Sequence, residues 1–106
     1  MEREYEVIIV IVNAGFADDV MSAARECGAK GGTVINARGT AREDAEKTYG
    51  IVIAPEKELV LILVDKEVKE PILHAVYKKV GLNTPGQGIA FSLPVDDVIG
   101  LTPSKQ

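Results

Sequence analysis

Two glycine-bearing segments carry the residue types that could hold a small molecule. The first covers residues 31–42 and reads G-G-T-V-I-N-A-R-G-T-A-R. A glycine pair opens a short β-branched run, and the run ends in Arg38-Gly39. The second is Thr84-Pro85-Gly86-Gln87-Gly88, which leads straight into I-A-F-S-L-P-V at 89–95. Loops beside strands are where ligand contacts concentrate, and two such loops can form two walls of one cleft. The pairing of the two segments, with Thr33, Arg38, Gly39 and Arg42 in one and Gly86, Gln87 and Gly88 in the other, suggests a ligand sensor more than an enzyme.

Reaction chemistry has no comparable carrier. No nucleophile–base pattern occurs, and no His, Cys, Asp and Glu cluster has metal-ligand spacing. Cys27 shares a helical face with Phe16, Val20, Ala23 and Ala24, so a small core residue is expected there. The single histidine, His74, falls among polar helical positions and reads as a surface residue. One cysteine excludes an internal disulfide. The chain reads as a binding protein rather than an enzyme, with no catalytic residue and no metal.

Bulk properties narrow the class further. The 106 residues are 46% hydrophobic and fit a single domain. The net charge of −4, with scattered Lys and Arg, argues against nucleic acid. No apolar run is long enough to span a membrane. The acidic opening Met-Glu-Arg-Glu does not fit a signal peptide, so a cytoplasmic location is expected.

The elements that must position the glycine segments follow from periodicity. V-I-I-V-I-V at 7–12 and L-V-L-I-L-V at 59–64 read as central strands. Phe16, Val20, Ala23, Ala24 and Cys27 recur at helical spacing, and Gly28 closes that helix. A second strand covers 33–36. Residues 41–47 are charged without an apolar face, which predicts an exposed loop or a short solvated helix. A further strand starts at 49–53 and is interrupted by Pro55. Val68, Ile72, Ala75, Val76 and Val80 stripe a second helix. Pro71 fits there only in the first turn, where amides lack partners anyway. Gly81 ends it, and 89–95 is the last strand. The order is that of an α+β, ferredoxin-like βαββαβ fold: a four-stranded antiparallel sheet with two helices on one face.

That architecture predicts association. Val7, Ile9 and Ile11 point to one face of the first strand, and Ile8, Val10 and Val12 to the other. The run at 59–64 is apolar on both faces too. Two helices cover only one face, and at about 25 cal/mol per Å² the other is costly to leave in water. Burial against further copies of the chain is the simplest remedy.

With this order and these loops, the sequence resembles the PII nitrogen-regulatory signalling family over nearly its whole length. The resemblance rests on Phe16-Ala-Asp-Asp-Val20 with Ala23, Ala24 and Gly28; on Gly32-Thr33-Val34 followed by Arg38-Gly39; on Pro55 before a long strand; on Gly86-Gln87-Gly88; and on Leu93-Pro94-Val95-Asp96-Asp97. It implies a homotrimer with adenine nucleotide in the clefts between subunits. It also implies regulation of a transporter, enzyme or transcription regulator through a loop, here residues 40–47. Thr33, the Gly39 region and the glycine loop match positions that line the family's nucleotide cleft.

The departures from the family are specific. Ala41 stands for a glycine and Glu43 for a ligand-contacting glutamine. Ile89 stands for the phosphate lysine, and Gly100 and Thr102 for two tail arginines. Charge-assisted contacts contribute roughly 1.5–3 kcal/mol each. Their loss predicts a preference for ADP or AMP over ATP, with Arg38 and Arg42 the nearest replacement cations. The loop is short and lacks the stretch that carries the family's modifiable residue. Two other ferredoxin-like modules form the alternative reading, an amino-acid-sensing regulatory domain or a metal-tolerance protein.

Overall fold

The computed structural model describes residues 4–40 and 56–101. Strand β1 (Tyr5–Asn13) leads to helix α1 (Ala17–Glu26), strand β2 (Thr33–Arg38) and strand β3 (Glu56–Asp65). A 3-10 turn (Lys66–Val68) then enters helix α2 (Lys69–Val80), and strand β4 (Ile89–Val95) follows. The four strands form one antiparallel sheet in the order β2-β3-β1-β4, the architecture that the apolar periodicities predict. The expected loop at 41–47, the strand start at 49–53, Pro55, Arg42 and Thr102 lie outside the described residues.

The strands run longer than their apolar cores. β1 extends to Asn13, β2 to Arg38, and β3 begins at Glu56. Polar strand ends carry no hydrophobic signal, but they pair as well as apolar ones because the ladder uses backbone groups. Helix α2 starts one residue later than its stripe implies, with Val68 at the N-cap and Pro71 third in the helix. That places Pro71 in the first turn, as the missing amide requires.

Both helices cover one face of the sheet. Ile8, Val10 and Val12 of β1 and Val60, Ile62 and Val64 of β3 pack beneath Val20, Ala23 and Ala24 of α1 and Ile72, Val76 and Val80 of α2. Cys27 is half-buried and packs against the rim of this core rather than inside it. Its place as the C-cap of α1 leaves one side open. Gly28 at φ +110° turns the chain out of the helix, a conformation that side chains with a Cβ disfavour. The start of α2 is tied to β1 by an ion pair of 3.6 Å between Lys69 and the buried Glu6.

Among the described residues the opposite face carries no helix, and the strand register builds an apolar grid on it. Thr33, Leu61, Ile9 and Phe91 form one row across the four strands. Ile35, Leu59, Ile11 and Ile89 form the next, and Leu63, Val7 and Leu93 a third. Ile89, Phe91 and Leu93 keep 47, 42 and 50% of their surface exposed, and Ile35 keeps 42%. A contiguous patch of this kind marks an interaction surface.

Candidate functional site

At one end of the sheet the strand termini bring both glycine segments to the same level. Ala37 pairs with Lys57, and Lys57 pairs with Asn13, so Gly39, Lys57 and Asn13 step across three strands. The Lys57 stem lies against Gly39: a Cβ on that glycine would sit 2.9 Å from Lys57 Cε. The Lys57 ammonium donates to Asn13 Oδ1 at 2.7 Å. Asn13 holds the glycine loop in turn, its Nδ2 donating to the Pro85 carbonyl and its backbone N–H to the Gly86 carbonyl, both at 2.9 Å. One lysine and one asparagine thus couple the end of β2 to the loop before β4.

The loop itself is tightly built. Gln87 N–H donates to Thr84 O at 3.0 Å, closing a turn around Pro85-Gly86. A Pro-Gly pair favours a type II turn with positive φ at the glycine. Here the positive φ, +48°, falls one residue later, on Gln87. Gly86 is buried, and its glycine identity has a steric reason. A Cβ there would lie 3.1 Å from Val80 Cβ and 3.3 Å from Phe16 Cγ. Gly88 is more constrained still, with Val80 O at 2.6 Å and Val12 Cγ1 at 2.7 Å from an added Cβ. Its N–H donates to Val80 O at 2.6 Å. The N–H of Gln87 is thus taken within the loop, and that of Gly88 by the last residue of α2.

A helix N-terminus lies close by, and its first amide is also taken. Glu58 Oε1 accepts from Gly15 N–H and Ala17 N–H, both at 3.0 Å. This carboxylate satisfies orphan amides and faces the positive end of the α1 dipole. It does from a neighbouring strand what an N-cap side chain would do, since Phe16 at the N-cap makes no such bond. Successive residues Lys57 and Glu58 point to opposite faces, so the acid caps the helix while the lysine stays on the grid side.

The expected residues divide between these places. Gly39 and the exposed Arg38 lie at the lysine joint, with Arg38 paired in register to Glu56. Gly86, Gln87 and Gly88 lie across the sheet at the β4 edge, reached through Asn13. Thr33 sits five residues down β2 on the grid face, in the row of Phe91. Within one chain it stays apart from the glycine loop, because β2 and β4 are opposite edges of the sheet. Ile89, at the family's lysine position, is exposed on the grid face. Lys57 and Asn13 were not legible as site residues. Glu56-Lys57-Glu58 precedes the apolar run at 59–64 with no periodicity of its own, and Asn13 stands in a turn sequence.

A groove of about 470 Å³ lies beside the loop, between α2 and β4. Leu73, Val76, Tyr77, Val80 and Ala90 make it apolar, and the exposed His74 stands at its rim. Among the described residues no three His, Cys, Asp or Glu side chains converge as a metal site. No helix among them is long and apolar enough to cross a membrane.

A βαββαβ sheet with both described helices on one face, and a lysine–asparagine joint tying the end of β2 to a glycine loop, defines a small ferredoxin-like protein. The chain belongs to the P-II nitrogen regulatory protein family, whose model matches residues 5–105. Among solved structures it is similar to Arabidopsis thaliana PII bound to citrate, at 26% identity and a TM-score of 0.69 over 92% of this chain and 81% of that one. It is also similar to a B. subtilis GlnK–ATP complex, at 14% identity and a TM-score of 0.70 over 91% and 87%. B. subtilis GlnK itself gives 15% identity and 0.68 over 91% and 89%, and these last two support the fold alone. A search of curated protein sequences found no significant match.

Proposed function

We propose that the protein is a trimeric sensor that binds a small anionic metabolite where its subunits meet and signals the bound state to a partner protein. The observation that carries this is the joint at Lys57. Its ammonium has no carboxylate partner among the described residues, and it stands between Gly39 and the Asn13 that grips the glycine loop. A cation paired only with a neutral amide retains its full charge for an anionic ligand. Lys57 takes over from Arg38 and Arg42 as the first replacement for the family's missing cations. The citrate found on the Arabidopsis relative is an anion of the same general kind.

The preferred ligand is an adenine nucleotide of low charge, ADP or AMP before ATP, because each phosphate brought out of water needs a partner. No substrate is turned over. Calorimetry with ATP, ADP and AMP tests this on the wild type and on Thr33→Ala. ADP or AMP should bind tightest. Loss of the Thr33 hydroxyl should weaken binding by about fivefold to tenfold, the worth of one hydrogen bond of about 1–1.5 kcal/mol. Tightest binding of ATP, with Thr33→Ala silent, would show the assignment to be wrong.

Contact with a transporter, enzyme or regulator is assigned to residues 40–47, of which only Thr40 is described. Deleting 41–47 should abolish partner capture while leaving ligand binding intact. Unchanged capture would remove the loop from the proposal.

A further inference from the structure

We infer that Asn13 is a positioning residue for the anion contact: its neutral side-chain amide aims the Lys57 ammonium and holds the glycine loop in the same grip. The inference rests on the sensor reading and adds the residue, beyond Lys57, that the binding of charge requires.

Asn13 is the last residue of β1, and its polar contacts run in separate directions. Oδ1 accepts from Lys57 Nζ at 2.7 Å, while Nδ2 donates to Pro85 O and the backbone N–H to Gly86 O, both at 2.9 Å. A lysine ammonium can only donate, and a backbone carbonyl can only accept. The side chain between them must therefore accept on one branch and donate on the other. Asparagine is the shortest side chain that carries an acceptor and a donor on separate atoms. Aspartate has the same shape but, once ionised, only accepts. The contacts thus give a chemical reason for an amide here, which a turn by itself does not.

The residues around Asn13 serve the same end. Lys57 is half-buried with its stem against Gly39, and its bond to Asn13 fixes where the ammonium sits. Because the amide is neutral, that bond orients the charge without cancelling it. Glu58, the next residue of β3, is turned to the other face and bonded to the Gly15 and Ala17 amides at 3.0 Å. Glu56 joins through its backbone, whose carbonyl accepts from Ala14 N–H at 3.2 Å. Glu56, Lys57 and Glu58 in succession therefore fix the turn after β1, and Asn13 carries that position to the glycine loop. The Pro85 and Gly86 carbonyl oxygens, which would repel an anion, are engaged by Asn13.

Two substitutions separate the positioning of charge from a merely structural role. Asn13→Asp pairs Lys57 with a carboxylate and sets an acid oxygen against Pro85 O, where a donor stood. Asn13→Ala releases Lys57 and the Pro85 carbonyl and neutralises nothing. The aspartate keeps the shape and the alanine does not, so loss of shape alone ranks alanine as the worse variant, and positioning of charge ranks aspartate as the worse.

Calorimetry with ADP and AMP on the full-length wild type, Asn13→Asp, Asn13→Ala, Lys57→Met and the double variant Asn13→Ala/Lys57→Met tests this, with melting temperatures read alongside. Asn13→Asp should bind the nucleotides about tenfold more weakly than Asn13→Ala, the worth of one contact to a charged group. The double variant should lose less than the product of the two single losses, because Asn13 acts through the lysine. Binding by Asn13→Asp that equals or exceeds that of Asn13→Ala would overturn the inference and leave the anion site standing. So would single losses that fully multiply in the double variant, and this second result decides alone if Asn13→Asp fails to fold. A wild type that takes up neither ADP nor AMP would overturn the sensor reading and the inference with it.

Discussion

Replacing Ile9 with aspartate should break the assembly into single folded chains. Ile9 sits at the centre of the grid, paired with Leu61 on one side and Phe91 on the other, and its side chain points away from both helices. In a single chain the new carboxylate would face water and disturb little of the core, which lies on the other side of the sheet. In an assembly that buries the grid, every copy would place an unpaired charge among aliphatic side chains. The penalty for such burial is several kcal/mol per ion. That is enough to convert association at micromolar concentration into no measurable association. Sedimentation velocity reads the outcome, and far-UV circular dichroism shows that the chain remains folded. A wild-type sedimentation coefficient for Ile9→Asp would mean that the grid is not the buried face.

Replacing Lys57 with methionine should cost about tenfold to a hundredfold in ADP affinity while leaving assembly and melting temperature close to wild type. Methionine keeps an unbranched apolar stem to lie against Gly39, so the packing there survives. What is lost is the ammonium, and a hydrogen bond to a charged group contributes about 1.5–3 kcal/mol. Asn13 loses its lysine donor but keeps both of its own bonds to the glycine loop. Calorimetry on Lys57→Met, with Arg38→Gln as the comparison, assigns the charge. Equal affinities for Lys57→Met and wild type, with a large loss for Arg38→Gln, would move the anion contact to the β2 edge.

The fold was readable because apolar runs and helical stripes set the element types. The two-sided apolar pattern of β1 and β3 also implies that the sheet face away from the helices is apolar. The site was less readable for a physical reason. A charge run such as Glu56-Lys57-Glu58 carries no sign of which charge points where. Pairing with Asn13 and Ala37 sends Lys57 to the open face, and the same alternation sends Glu58 to the α1 amides. Only register reveals this, and register is a long-range property. The glycine loop carries a second constraint of the same long-range kind: close packing against Val80, Phe16 and Val12 accounts for the lack of side chains at Gly86 and Gly88. Thr33 was recognised as a strand residue, but its distance from the loop within one chain follows from strand order, which periodicity does not contain.

Copies of this chain are proposed to assemble and to bind a small anion where they meet. Native mass spectrometry of the wild-type protein with excess ADP tests both halves at once. The expected spectrum shows the mass of three chains carrying up to three nucleotides, with the adducts depleted in Lys57→Met. A single-chain mass, or a trimer that takes up no nucleotide at any ADP concentration, would contradict it.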